Sequence, residues 1–220
     1  MEMPDYSKKQ IVKRCIALTA GLFIMSIGIA MSKLAELGTT PISCIPATLT
    51  YFTSLSIGVW TMIFNALLVF MQFIILRKDF QPFQLLQLIV AFLIGSFTDV
   101  SMGILSPLMV VDSYPLQWMY CILAAVILGF GVMLEIRSNV IVAPGEGLVL
   151  ALCRVTKVPF PRMKVANDVT MVVIAAVLSL AFAGGLYGVR EGTIFSAVAI
   201  GLIVGFYRDH FGSYVDRLLD

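Results

Sequence analysis

The sequence predicts an all-α membrane protein: six transmembrane helices plus two short re-entrant half-helices, arranged as two inverted three-span repeats. Three observations predict it. Of 220 residues, 60% are hydrophobic and only 13% are charged, about half the charged share of a soluble domain. The charges gather in short clusters between long apolar runs, which makes the bilayer the natural solvent. The two halves also carry the same order of segments. The length is that of one domain. Residues 1–220 are therefore expected to form a single integral membrane domain, with repeat 1 at about 12–110 and repeat 2 at about 115–212.

A helix needs roughly 20 mostly apolar residues to cross the hydrocarbon core. Residues 15–31 are the first such run. They are read as a true span and not a signal peptide, because Ser32-Lys33-Leu34-Ala35-Glu36 makes a poor cleavage site. Residues 57–76, 83–105, 118–134 and 165–186 follow, and 192–207 is a shorter sixth run. Two less apolar segments, 41–55 and 144–155, open with Pro41 and Pro144. Proline suits a first helical turn, where its missing donor is not needed. Each segment is marginal for a crossing.

Basic residues set the orientation. Lys8, Lys9, Lys13 and Arg14 precede the first span, and Arg77 and Lys78 follow the second. Six spans put both groups in the cytoplasm, together with Arg137, Arg154, Lys157, Arg162, Lys164, Arg208 and Arg217. Only Lys33 and Arg190 then lie outside. Eight full spans would put Arg77 and Lys78 outside. The expected protein is multi-pass in the bacterial cytoplasmic membrane, with both termini cytoplasmic. The net charge of +2 gives no case for nucleic acid, because the basic residues sit at segment ends.

A shift of 103 aligns Gly28 with Gly131, Pro41 with Pro144, Ile45 with Leu148 and Thr53 with Thr156. A shift of 102 aligns Asn65 with Asn167, and one of 110 aligns Gly95 with Gly205 and Asp99 with Asp209. Each half reads span, proline-led short helix, span with Asn, span ending Gly-x-x-x-Asp. Three spans per half is an odd number, so the halves must be upside down relative to one another. Inverted repeats with partial helices are a recurring plan of transporters. Irregular backbone at membrane depth is tolerated where it is buried or lines a wet cavity.

If both short helices dip inward, their N-termini meet near the midplane and offer free N–H groups and positive dipole ends. Thr39, Thr40 and Ser43 add hydroxyls there, while Gly145 and Gly147 allow close backbone approach. Glu146 becomes an ionisable group beside the cavity, able to couple transport to protons or to hold a cationic part of the solute. Capping of its own helix is the competing role. Asn65, Asn167 and Asp168 lie inside or at the start of spans. Lys164 precedes Asp168 by four positions, so the two can pair on one face. The substrate-binding set is thus Thr39, Thr40, Ser43, Asn65, Gly145, Glu146, Gly147 and Asn167. The coupling set is Glu146, Asp168 and Lys164. Asp209 beside Arg208 reads as a surface pair, and Arg190-Glu191 as a solvated turn.

No metal or cofactor is expected. The four cysteines, Cys15, Cys44, Cys121 and Cys153, have no paired spacing, and His210 is the single histidine. No Ser/His/Asp set or phosphate loop is present, so the chain is not expected to be an enzyme.

The run Glu36-Leu37-Gly38-Thr39-Thr40-Pro41-Ile42-Ser43 resembles the "LGTxP" signature of the YczE/YyaS/YitT-like bacterial membrane proteins. So does Pro144-Gly145-Glu146-Gly147-Leu148, followed by Lys164, Asp168 and Gly192-Thr193. The resemblance covers nearly the whole chain and implies a bacterial protein of similar size and span count. It implies no substrate, because the biochemical role of that family is largely unassigned. The expected function is therefore transport of a small solute or ion, as a secondary transporter whose site lies between the two half-helix N-termini. The alternatives are a substrate-binding subunit of an ATPase-driven complex and a membrane scaffold or regulator. The bilayer is the expected partner, and a homo-oligomer is compatible with all three.

Overall fold

The computed structural model describes residues 6–219. Eight α-helices carry the fold, and no strand occurs among the described residues. Six helical segments are long and apolar enough to cross a membrane: Lys8–Leu34, Ile57–Asp79, Pro82–Leu105, Tyr114–Ser138, Arg162–Ala183 and Glu191–Leu219. Their outward faces are apolar, with Ile194 and Leu202 each 71% exposed. Bulky side chains in that position are costly in water and at home in lipid.

The helix ends differ from the sequence expectation wherever a local cap overrides the apolar run. α1 (Lys8–Leu34) starts well before residue 15. Ser7 and Gln10 form a reciprocal capping box there, the Gln10 N–H donating to Ser7 Oγ at 3.3 Å and the Ser7 N–H to Gln10 Oε1 at 2.9 Å. α2 (Pro41–Leu49) stops six residues short of the expected end at 55. Side chains take its last carbonyls: Lys33 Nζ and Thr50 Oγ1 both donate to Ala47 O, and Thr53 Oγ1 donates to Leu49 O. α3 (Ile57–Leu76) is capped by Ser56, whose Oγ accepts from the Val59 N–H at 3.1 Å.

Two 3₁₀ turns, Arg77–Asp79 and Pro82–Leu86, lead into α4 (Gln87–Leu105), so the α-helix begins later than residue 83. α5 (Tyr114–Ser138) runs past the expected 134 to a left-handed Asn139 cap. α6 (Pro144–Thr156) ends on a left-handed Lys157. α7 (Phe160–Leu178) passes into a π turn, Ser179–Ala183, and stops at Gly184 with φ +70°, short of 186. α8 (Glu191–Leu219) has 29 residues instead of the expected sixteen at 192–207. An ion pair at 2.8 Å between Arg137 and Asp216 holds the added turns against α5.

Helices α1 and α5 form the central pair. They approach closely because glycine faces glycine: a Cβ on Gly21 would lie 3.0 Å from Gly131 O, and one on Gly28 would lie 2.6 Å from Leu128 Cβ. α4 packs on α1, and α8 packs on α5. α3 packs on α6, and α7 packs on α2. Each short helix also touches the long helix that follows it. α3 and α4 pack tightly through Gly58 and Gly95, and Asp99 on α4 accepts the Gly58 N–H at 2.8 Å. One apolar core lies between α1, α4 and α5, including Leu22, Ile94 and Leu128. A second lies among α2, α3, α6 and α7, including Cys44, Phe64, Leu68, Leu148 and Met171.

Candidate functional site

The two proline-led helices meet at their N-termini. A Cβ on Gly145 would run into the end of the Ile42 side chain, so Ile42 fills the space between them. The sequence reading left this space open for a ligand.

The α6 N-terminus is anchored by three buried side chains from three other helices. Glu135 on α5, 5% exposed, accepts the Ala143 N–H with Oε1 at 2.8 Å. Gln72 on α3 donates from Nε2 to Pro144 O at 3.1 Å and to Gln87 Oε1 at 2.9 Å. Gln87 Nε2 donates back to Gln72 Oε1 at 3.3 Å. These two amides press on Gly147, where a Cβ would lie 2.8 Å from Gln72 Oε1 and from Gln87 Nε2. Gly147 is thus required for close approach by side chains, where the sequence reading expected a ligand.

Glu146 is half-buried, with its side chain 35% exposed. Its Oε1 lies 4.0 Å from Lys164 Nζ. Lys164 in turn sits 3.0 Å from Asp168 Oδ1, whose side chain is 20% exposed. The three expected coupling residues therefore form one cluster at the junction of α6 and α7. As ionised groups they carry one net negative charge. Such a cluster at a helix N-terminus can hold a cationic group or exchange a proton. Asp168 lies within one turn of Met171, whose carbonyl accepts from the buried Cys44 thiol of α2 at 3.5 Å.

The residues before α2 point elsewhere. Thr39 donates its N–H to Gly188 O at 3.3 Å, and Gly38 is pressed against Thr193 and Arg190 at the start of α8. Thr40 is the N-cap of α2 but makes no side-chain cap bond. Its carbonyl accepts the Ser43 N–H at 2.9 Å. Thr39 Oγ1 is buried without a hydrogen-bond partner among the described residues. Thr39, Thr40 and Ser43 are buried, and Thr39 is tied to the segment ahead of α8.

The two asparagines separate. Asn65 turns back on its own helix and donates from Nδ2 to Thr61 O at 2.9 Å. Asn167 and Thr170 line a cavity of about 470 Å³ between α2, α3, α6 and α7, walled mostly by apolar side chains such as Ile45, Phe64, Leu68 and Leu148. Its Nδ2 is buried with no hydrogen-bond partner among the described residues. The expected surface pair is present, with Arg208 Nε 2.8 Å from Asp209 Oδ1. Arg190 pairs with Glu191 at 3.1 Å and donates to Glu36 O at 2.9 Å.

Sequence reasoning missed Glu135, Gln72 and Gln87. Glu135 falls one residue beyond the expected span 118–134. Continuing that helix by one turn places a carboxylate at membrane depth, which by itself marks a residue with a role. Gln72 is likewise the last polar side chain in an otherwise apolar run from Ala66 to Leu76.

Residues 12–209 match a family described as "Family of unknown function (DUF6198)". The chain is also similar to an "Uncharacterized protein" of Haemophilus influenzae, 24% identical over 190 residues, which cover 86% of this chain and 81% of that protein. No solved structure matches the chain at a significant level.

Proposed function

The chain belongs to the DUF6198 family of unknown function, and we propose that it is a membrane carrier of a small solute, a secondary transporter and not an enzyme. The observation that carries this reading is the meeting of two proline-led half-helices beside a half-buried Glu146–Lys164–Asp168 cluster. That combination suits an inverted-repeat carrier, in which partial helices meet at a central site.

The helix contacts support the inverted pairing of halves. Exchanging α1 with α5, α2 with α6, α3 with α7 and α4 with α8 turns the α1–α4 contact into α5–α8, and the α3–α6 contact into α7–α2. The exchange reaches single residues. At the 103 shift, the contact of Gly28 with Leu128 becomes that of Gly131 with Met25, and both occur. Ser32 becomes Glu135, and both bind the loop ahead of a short helix. A two-fold axis between α1 and α5 accounts for these pairs.

On this reading the solute's polar group binds at Glu146 and Asp168, with Lys164 holding the carboxylates in place. Asn167 presents a hydrogen-bond donor on the adjoining cavity. Thr39, Thr40 and Ser43 fix the α2 end. The basic clusters around Lys8–Arg14 and Arg77–Lys78 support a cytoplasmic side for both termini, and the likeness to the YczE/YyaS/YitT-like proteins belongs to the same proposal.

The test is reconstitution in liposomes containing a trapped pH-sensitive dye, with a panel of metabolites added outside. Solute-dependent, saturable proton movement is expected from the native chain. Glu146→Gln and Asp168→Asn should each abolish it while the purified variants keep their size-exclusion profile. Normal movement in both variants would remove the cluster from the mechanism.

A further inference from the structure

We infer that α7 and α8 close on one another in a second state of this protein, with Lys164 packing over Gly205 as Met62 now packs over Gly95. The inference rests on the carrier reading above and its pairing of the halves.

The register between α4 and α8 is 110, and their inner sides agree with it. Ser26 on α1 donates to Ile94 O at 3.1 Å. The equivalent positions, Gly129 and Val204, also lie together, a Cβ on Gly129 coming 3.7 Å from Val204 N. So α8 sits on α5 as α4 sits on α1.

Their other sides disagree. On α4, Gly95 is covered by Gly58 and Met62 of α3, and Asp99 bonds the Gly58 N–H and Ser56 Oγ. On α8, nothing described lies within 4 Å of where a Cβ would stand on Gly201 or Gly205. Asp209, the equivalent of Asp99, pairs with its own neighbour Arg208. The equivalents of Gly58 and Met62 are Phe160 and Lys164 on α7, and neither lies over Gly205. One junction is shut, and its counterpart is open.

In an inverted-repeat carrier, each half can adopt the arrangement its partner holds, and exchanging the two arrangements moves access from one face to the other. An open glycine flank forfeits the dispersion contacts that the α3–α4 junction makes, so closure has something to gain. What opposes closure is charge. Met62 is apolar, whereas Lys164 is bound to Asp168 and Glu146, and burying a cluster with one net negative charge is costly. Removing that charge therefore favours closure, which ties the motion to occupancy of the site. The connector suits movement: a π turn at Ser179–Ala183, then Gly184 and Gly188 at positive φ.

The test is a disulfide between Phe160→Cys and Gly205→Cys in a chain whose four native cysteines are replaced by serine. Gly129→Cys with Ile203→Cys is the control, since a Cβ on Gly129 lies 3.2 Å from Ile203 Cβ. An oxidised 160–205 pair traps even a minor state on each visit, so cross-linked protein is expected to accumulate, and several-fold faster when Glu146→Gln is added. With the pair locked, the added Met62→Cys variant should gain reactivity toward a membrane-impermeant maleimide and solute movement should stop, returning with reductant. Control cross-linking without any 160–205 product overturns the inference, as does a Met62→Cys variant that stays unreactive in the locked protein. Saturable transport without the cross-link would retain the carrier and sink only the motion. The cross-link without transport would do the reverse.

Discussion

Replacing Gly28 with alanine should loosen the central helix pair. The added Cβ would stand 2.6 Å from Leu128 Cβ and 2.9 Å from both Leu128 Cα and N, whereas carbon atoms pack at about 3.5–4.0 Å. The helices must separate by roughly 1 Å at that level, and contacts along α1 and α5 are lost with it. Overpacking of this kind costs about 1–3 kcal/mol. At roughly 2–4 °C per kcal/mol for a chain of this size, the melting temperature should fall by about 2–12 °C. The assay is a thermal melt of detergent-purified protein followed by size-exclusion chromatography. Two companions make it decisive. Gly103→Ala, on α4 with open space around it, should leave the melt unchanged or raise it slightly. Leu128→Ala should not rescue Gly28→Ala, because alanine keeps the Cβ, Cα and N that make the clash. A Gly28→Ala melt equal to that of Gly103→Ala, or one restored by Leu128→Ala, would refute the close-packing argument.

Other substitutions read the anchors of the two halves. Glu135→Ala should destabilise by about 1–3 kcal/mol, because the buried Ala143 N–H loses its acceptor, and Glu135→Gln should recover most of that loss; equal melts for the two variants would count against the hydrogen bond. Asp99→Ala removes the acceptor of the Gly58 N–H and the Ser56 hydroxyl and should lower stability by about 0.5–2 kcal/mol, read in the same melt. Asn167→Leu takes away an amide whose Nδ2 is buried without a hydrogen-bond partner among the described residues and should be neutral or stabilising in detergent. Marked destabilisation there would mean that the amide has a partner in the folded protein.

How much of this was legible in the sequence differs by residue. The six apolar runs were legible because a single segment can satisfy its own backbone in lipid only as a helix, and a continuous run of about 20 apolar residues marks one. The starts of the short helices at Pro41 and Pro144 were legible too, since proline announces a first turn. The ends were not. The end of α2 at Leu49 draws on Lys33 reaching the Ala47 carbonyl from another helix as well as on the nearby Thr50 and Thr53 hydroxyls. The length of α8 depends on Arg137 meeting Asp216. The Lys164–Asp168 pair could be read from its spacing, because i,i+4 neighbours share a face. The tie from Lys164 to Glu146 spans two helices and left no such mark.

The amino-acid order therefore determined what is local: which stretches are apolar enough for lipid, where helices begin, and which charges share a turn. Tertiary structure decided what lies between segments. It put Ile42 in the space between the two short helices, set Gln72 and Gln87 around Gly147, buried Glu135 under the α6 N-terminus, and left Gly205 uncovered while Gly95 is packed. The physical reason is that hydrophobic periodicity specifies a solvent, whereas a contact depends on how two separate surfaces fit. That fit is set by side-chain volumes and hydrogen-bond partners that lie far apart along the chain.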